Sequence, residues 1–350
     1  MQQLLISIGS WFERIDPGTH RRIKGLRLVT AFGLAALLAT VPQIAQPHGP
    51  SLGLLAAGFA LWASVSEGRT TRYQSACDLV LLCVAAGVGA AGFVILASLF
   101  GAGWSELTLI SGSFCVGFLR KFGIRGTGIG SQLFIGQLLA YNVGPNSVDV
   151  GTIVLAVALA IPASVIPRML SGPAEQPAIA SSSSGDARAA STAFFMGAQA
   201  AIASASIVIL GHFVGLTESA WAITACTYVV ADSTRGTIDR VCRRIAGTSI
   251  GVPLAIALLP LAAQAPLELW FAAATAMVIY AIALPEHYDI ASGAYAFALI
   301  VTLAANGEHS VGILLARLWE TVIGGALGLT VLLLLAPIPH WKRRNAARAQ

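Results

Sequence analysis

From Leu28 to Leu335 the chain is a succession of apolar runs of helical length, broken by short polar turns. That feature fixes the solvent and most of the architecture. A bilayer core of roughly 30 Å takes about 20 apolar residues per helix. Within it, backbone N–H and C=O groups must be satisfied inside helices or in a closed barrel. These runs are too long for barrel strands, so membrane helices are expected. Only 11% of the 350 residues are charged, against about 25% in soluble domains. The runs place helices near 26–46, 51–66, 76–100, 105–119, 127–142 and 149–167, then near 192–213, 219–231, 241–263, 267–284, 289–306 and 310–336. The second and eighth are short for a crossing and are expected to be tilted, broken or shielded by other helices.

Basic residues orient this array. Arg14, Arg21, Arg22, Lys24 and Arg27 lie before or at the start of the first helix; Arg69 and Arg72 follow the second; Arg120, Lys121 and Arg125 follow the fourth. Arg168 and Arg188 follow the sixth, Arg235, Arg240, Arg243 and Arg244 the eighth, and Lys342, Arg343, Arg344 and Arg348 the last. With twelve helices all of these fall on one side, and turns such as "YNVGPNSVD" and "AQAPLE" on the other side hold none. Lys and Arg accumulate in cytoplasmic loops, so both termini are expected in the cytoplasm. The net charge of +5 is then orientation charge and gives no argument for nucleic acid. Cys77, Cys83, Cys115, Cys226 and Cys242 avoid the outer turns, so neither a disulfide nor a metal cluster is expected.

The stretch "SGPAEQPAIASSSSGDARAAS" has linker composition. It divides the chain into an N-terminal segment (1–25), a six-helix membrane unit (26–168), a cytoplasmic linker (169–191), a second six-helix unit (192–337) and a basic tail (338–350). A shift of 165 aligns Cys77 with Cys242 and Glu67 with Asp232, and a shift of 164 aligns Asn142 with Asn306. An even helix count points both units the same way. The expected fold class is an all-α membrane protein of about twelve transmembrane helices in two parallel six-helix repeats, a design that places substrate at the repeat interface.

The second unit carries most of the polar residues suited to a site. In "RVCRRIAGTSIG" a basic start, ending at Arg244, runs on one helix face into Gly247, Thr248 and Gly251. The small residues suit close helix packing or close approach of a ligand; Arg244 suits an anion or a lipid phosphate. Gly324 and Gly328 repeat the packing pattern. Arg317 and Glu320 lie within the last helix, where charge is costly unless paired or hydrated. Their spacing allows either a structural ion pair or a binding arginine beside a protonatable carboxylate. Asp289 and His287 at the start of the eleventh helix suit a proton relay, or for Asp289 a helix cap. Tyr295 and Gln132 are candidate pathway residues.

Two stretches, "WAITACTYVVADSTRGTIDRVCRRIAGTSIG" and "RLWETVIGGALG", resemble the signature of the fusaric acid resistance / aromatic acid exporter superfamily. The likeness is good over about 190–337 and weaker over 25–168, where the motif is degenerate. It implies a bacterial inner-membrane exporter of aromatic carboxylates or related organic acids, often paired with a periplasmic adaptor protein. It connects distantly to plant malate channels, which build one pore from two six-helix units. The chain departs from large exporters in having no sizeable cytoplasmic domain between its halves. Trp221 and Thr224, on the eighth helix, suit stacking on and hydrogen-bonding an aromatic acid; Trp221 equally suits interfacial anchoring.

No phosphate-binding Gly-rich Lys loop, zinc spacing or Ser-His-Asp arrangement is present, so neither an enzyme nor a cofactor is expected. The leading expectation is export of organic anions driven by the proton gradient, in the bilayer, by a monomer or homo-oligomer. A passive anion channel and a membrane scaffold or partner subunit without transport are the alternatives.

Overall fold

Apolar sequence in a medium without water leaves the backbone one local solution. The computed structural model describes residues 16, 19–45, 51–68, 71–100, 102–144, 147–172, 187–216, 219–230, 234–261, 264–284, 286–305 and 310–335, and no strand occurs among them. The helices of the first half are α1 (His20–Ala45), α2 (Ser51–Ser66), α3 (Arg72–Phe100), α4 (Thr108–Phe118), α5 (Gly123–Val143) and α6 (Val150–Leu170). Those of the second are α7 (Ala187–Val214), α8 (Ser219–Val229), α9 (Thr234–Ile256), α10 (Pro266–Ala283), α11 (Tyr288–Ala305) and α12 (Val311–Leu335). The expected linker is flanked by Leu170 and Ala187. Its residues 173–186, the tail 338–350, residues 1–15 and Asp232 lie outside the described residues.

Eight stretches are long and apolar enough to cross a bilayer: most of α1 and α3, the run containing α4 and α5, α6, most of α7, α9 with its 3₁₀ extension, α11 and α12. The chain is a multi-pass membrane protein. α2 and α8 are short, as the sequence reading had them, and α10 also falls short of a full-length span. With 11 residues, α8 measures only about 16 Å. Nearly all of its residues are buried, so its ends meet protein instead of lipid and no longer need to match the bilayer. The α4–α5 run folds back on itself at Gly123, whose φ of 71° lies in the region open to glycine. A Cβ at Gly126 or Gly130 would strike backbone of Leu119 or Cys115, so small residues let α5 lie directly on α4.

Packing follows one scheme on both sides of the linker. In the first half α5 packs on α3 and α4, α1 on α2, and α6 on α1, α2 and α3. In the second half α11 packs on α9 and α10, α7 on α8, and α12 on α7, α8 and α9. The halves meet reciprocally, α4 against α7 and α10 against α1. Alanine supplies much of the first-half core, including Ala31, Ala35, Ala56, Ala60, Ala86, Ala90, Ala156 and Ala160. Such side chains allow the close backbone approach that helix association in lipid relies on.

Five helices start four or more residues earlier than expected: α1, α3, α5, α7 and α9. α1 opens at His20 and α9 at Thr234, so the arginines read as the approach to the ninth helix lie inside it. The charge pattern resembles a turn in sequence, but Arg240 and Arg243 are held within α9 by carbonyls outside it and, for Arg243, by Asp239.

Candidate functional site

The inward face of α9 carries Thr237, Val241, Arg244, Gly247, Thr248, Gly251, Val252 and Ala255, the three-four spacing of a single helical stripe. Its arginines divide their work. Arg240 Nη1 donates to the Val230 carbonyl at 3.1 Å, just past the end of α8. Arg243 donates from Nε to Asp239 at 3.0 Å and from Nη1 to the Glu286 carbonyl at 3.0 Å. Arg244 alone turns into the protein, where its Nη1 donates to the Tyr288 hydroxyl at 3.1 Å and its buried Nε has no hydrogen-bond partner. It lies about 15 Å along the helix from Thr234. The open N–H groups of the first turn therefore do not add to its anion affinity.

Beyond Arg244 the stripe is smooth because α11 presses on it. A Cβ at Gly247 would collide with the Asp289 carbonyl and Ser292 Oγ, and one at Gly251 with the Gly293 carbonyl. Thr248 is buried on the same face. This contact holds Tyr288 and Tyr295, both on α11, beside Arg244 and the centre.

α12 brings the second cation. Arg317 is 2% exposed and Glu320 fully buried. The Arg317 Cζ lies 5.4 Å from the ring centroids of both Trp221 and Tyr295. A desolvated cation–π contact contributes about 2 kcal/mol, which offsets part of the cost of holding a guanidinium in apolar surroundings. Glu320 attracts the Arg317 guanidinium and Arg244 repels it; Arg317 Nε is buried without a hydrogen-bond partner. The approach of α12 to α8 depends on glycine. A Cβ at Gly324 would strike the Ala222 carbonyl, and Gly328 faces Cys226 and Val229. Trp221, next to Ala222, is thereby set against Arg317.

The aromatic wall continues into the other half. Tyr295 stands edge-on to Trp62 of α2, with centroids 5.4 Å apart. Tyr280 of α10 lies 6.4 Å from Trp62 and 6.3 Å from Tyr295. Gln132 of α5 donates from Nε2 to the Trp62 carbonyl at 2.7 Å and to Ser66 Oγ at 2.9 Å. Ser131 shares a 2.8 Å hydrogen bond with the Tyr228 hydroxyl of α8. The two short helices α2 and α8 thus each contribute a tryptophan to a centre at the junction of the halves.

Of the residues singled out by sequence, the fold gathers Arg244, Arg317, Glu320, Trp221 and Tyr295. Thr224 is buried but donates to the Ala220 carbonyl of its own helix at 2.7 Å. Thr248, Gly247, Gly251, Gly324 and Gly328 are at helix contacts. Asp289 is in the first turn of α11 and His287 is exposed just before it; neither side chain hydrogen-bonds to the arginines of the centre. Beside them, Arg21 of α1 donates to both carboxylate oxygens of Glu286, and these bonds hold the Glu286 carboxyl below its usual range. Trp62, Tyr280 and Tyr228 were not foreseen, since aromatic residues in a uniformly apolar run carry no periodic signal of their own.

The chain matches the family described as fusaric acid resistance protein-like over residues 202–331. No curated protein and no solved structure matches it. The matched span contains Trp221, Arg244, Tyr288, Tyr295, Arg317 and Glu320, and leaves Trp62 and the rest of the first half outside. Residues 202–331 of this multi-pass membrane protein are therefore similar to the fusaric acid resistance protein-like family.

Proposed function

We propose that this protein is an inner-membrane transporter that exports organic anions, aromatic carboxylates in particular, and that proton flow drives it. The carrying observation is Arg317, buried between the rings of Trp221 and Tyr295 with an N–H still able to donate. Arg244 offers a second such N–H. A carboxylate bridging the two would relieve their mutual repulsion and satisfy both donors, which in a low-dielectric interior favours an anion strongly. The flanking Trp and Tyr rings suit an aromatic body attached to that carboxylate. Glu320, one turn from Arg317, is the proton-coupling group: once protonated it leaves the arginine for the substrate.

In this reading two parallel six-helix repeats, alike in their packing, rock about the shared centre, and both termini are cytoplasmic. The centre is closed in this state, since Arg317 and Glu320 are buried, so substrate reaches it only when helices part. Asp289 and His287 belong to the proton path at the cytoplasmic mouth. A periplasmic adaptor would carry the acid onward, and the transporter would act as a monomer or homo-oligomer.

The test is flux of aromatic and aliphatic acids in proteoliposomes with imposed pH and voltage gradients. Wild type should accumulate aromatic acids when a pH gradient is applied. Glu320→Gln should abolish accumulation while retaining exchange of labelled for unlabelled acid. If Glu320→Gln accumulates as wild type does, coupling lies elsewhere and the passive channel gains. If no acid moves under any gradient, the transport reading fails.

A further inference from the structure

A second cationic cluster lies outside the matched domain, at the ends of four first-half helices. Its hub is Glu67, the residue after α2. Arg27 of α1 approaches it through Nη2 at 3.6 Å and Arg168, in the last turn of α6, through Nε at 3.4 Å. Ser75 of α3 donates to the same carboxylate and receives Arg168 Nε at 2.7 Å. Lys24 Nζ donates to the Glu67 backbone carbonyl at 3.0 Å. Three cations therefore surround one carboxylate. Arg27 is only 8% exposed, and its buried Nη1 has no hydrogen-bond partner. Lys24, Arg27, Glu67 and Arg168 line a cleft of about 10 Å³ together with Ser64, Leu79 and Ser164.

A structural ion-pair network would balance its charges and satisfy its donors. Here three cations share the Glu67 carboxylate, and the buried Arg27 Nη1, on a residue that lines the cleft, has no hydrogen-bond partner. The cavity holds one water-sized group, too little for an aromatic acid but enough for a single oxygen of a larger anion lying outside. The cluster also sits at the end of the bundle where sequence places the basic residues, and basic pockets between helices on the cytoplasmic side bind anionic lipid headgroups. We propose that the Lys24–Arg27–Arg168 cleft is an oxyanion site that takes one phosphate oxygen, presented by an anionic phospholipid headgroup or by free phosphate. Arg27 Nη1 and the Lys24 ammonium donate to that oxygen, and Glu67 orients the arginines. Occupancy clamps α1, α2, α3 and α6 together and fixes the frame against which the second half moves.

The experiment uses the purified full-length protein in detergent and reads the unfolding temperature over a titration of added phosphatidylglycerol, phosphatidylcholine, inorganic phosphate or chloride at constant ionic strength. A ligand that binds only the folded state raises that temperature with concentration. Wild type should be stabilised more by phosphatidylglycerol than by phosphatidylcholine if the source is a headgroup, or more by phosphate than by chloride if it is the free ion. Arg27→Gln should weaken the effective ligand at least about tenfold, as loss of one charge-assisted hydrogen bond implies. Thr30→Ala, which removes a hydroxyl of α1 that bonds only its own helix outside the cluster, should retain the response even if its baseline falls. Lys24→Gln replaces Arg27→Gln should that variant not fold. Equal stabilisation by the anionic and the control additive would overturn the proposal. So would the same response in the charge-removing variants as in wild type, which would make the cluster a structural network.

Discussion

Two devices offset the cost of burying Arg317: ring faces at 5.4 Å and the attraction of Glu320. Lysine keeps the charge but loses the planar group that lies over rings and presents two N–H donors to a carboxylate. Arg317→Lys should therefore raise KM for aromatic acids by about tenfold or more while leaving the maximal rate less affected, the pattern of lost ground-state binding. Trp221→Leu should penalise aromatic acids more than aliphatic ones of equal charge. Equal losses on both substrates would mean that Trp221 only packs. A milder electrostatic effect is expected at Glu286. Its pKa is lowered in the folded protein, so its pairing with Arg21 contributes above the ordinary glutamate value near 4.3 and is lost as pH falls through the lowered one. The pair is exposed, so this contribution is at most about 1 kcal/mol and is screened by salt. Between pH 5 and 3 wild type should lose slightly more thermal stability than Glu286→Gln, and 0.5 M salt should shrink the difference.

At the scale of helices, close contacts are made where glycine faces backbone. Gly247 and Gly251 of α9 meet α11, and Gly89 and Gly136 play the same part between α3 and α5, where a Cβ would strike the Leu133 and Ala86 carbonyls. Gly33 and Gly92 have nothing within 4 Å of a built Cβ. Gly251→Ala and Gly136→Ala should thus each destabilise by about 1–3 kcal/mol through forced separation of backbones. Gly33→Ala and Gly92→Ala should be neutral or stabilise by up to about 1 kcal/mol, all read as unfolding midpoints in one detergent. Similar values for the four variants would remove the packing argument. Sequence reading found most of these helices because polar turns interrupt hydropathy sharply; α2 begins and ends at the expected residues. It misplaced the start of α9 because Arg240 and Arg243 look like solvated flanking charge, and only the fold shows that carbonyls of Val230 and Glu286 receive them. Arg168 was read as orienting charge for the same reason, since its carboxylate partner Glu67 is distant in sequence. The stripe from Arg244 to Gly251 and the Arg317–Glu320 turn were legible because buried charge and repeated small residues stand out in apolar helices. Trp62, an aromatic among aliphatics on α2, did not.

At the scale of the whole molecule, the centre belongs to neither half. Arg244, Arg317 and Glu320 come from the second, but the ring that backs Tyr295 is Trp62 of the first, and Ser131 of α5 holds Tyr228 of α8. The first half cannot serve merely as an inert copy, because α4 lies on α7 and α10 on α1. Those contacts are apolar in part, with Leu109, Val116 and Phe134 sharing a cluster with Ala203, Ile207 and Ile223. In lipid they persist through packing and through the shared hydrogen bonds of Ser113 with Thr227 and Ser204, each 2.9 Å. A covalent linker should then be dispensable. Residues 1–178 and 179–350 expressed as separate chains should co-purify in mild detergent and restore flux together, while residues 179–350 alone should not transport. If the second chain alone accumulates aromatic acids, the centre is complete without Trp62, and the first half serves only as membrane support. If the chains assemble but Trp62→Ala abolishes aromatic preference in the reassembled protein, specificity is set by a residue outside the matched domain.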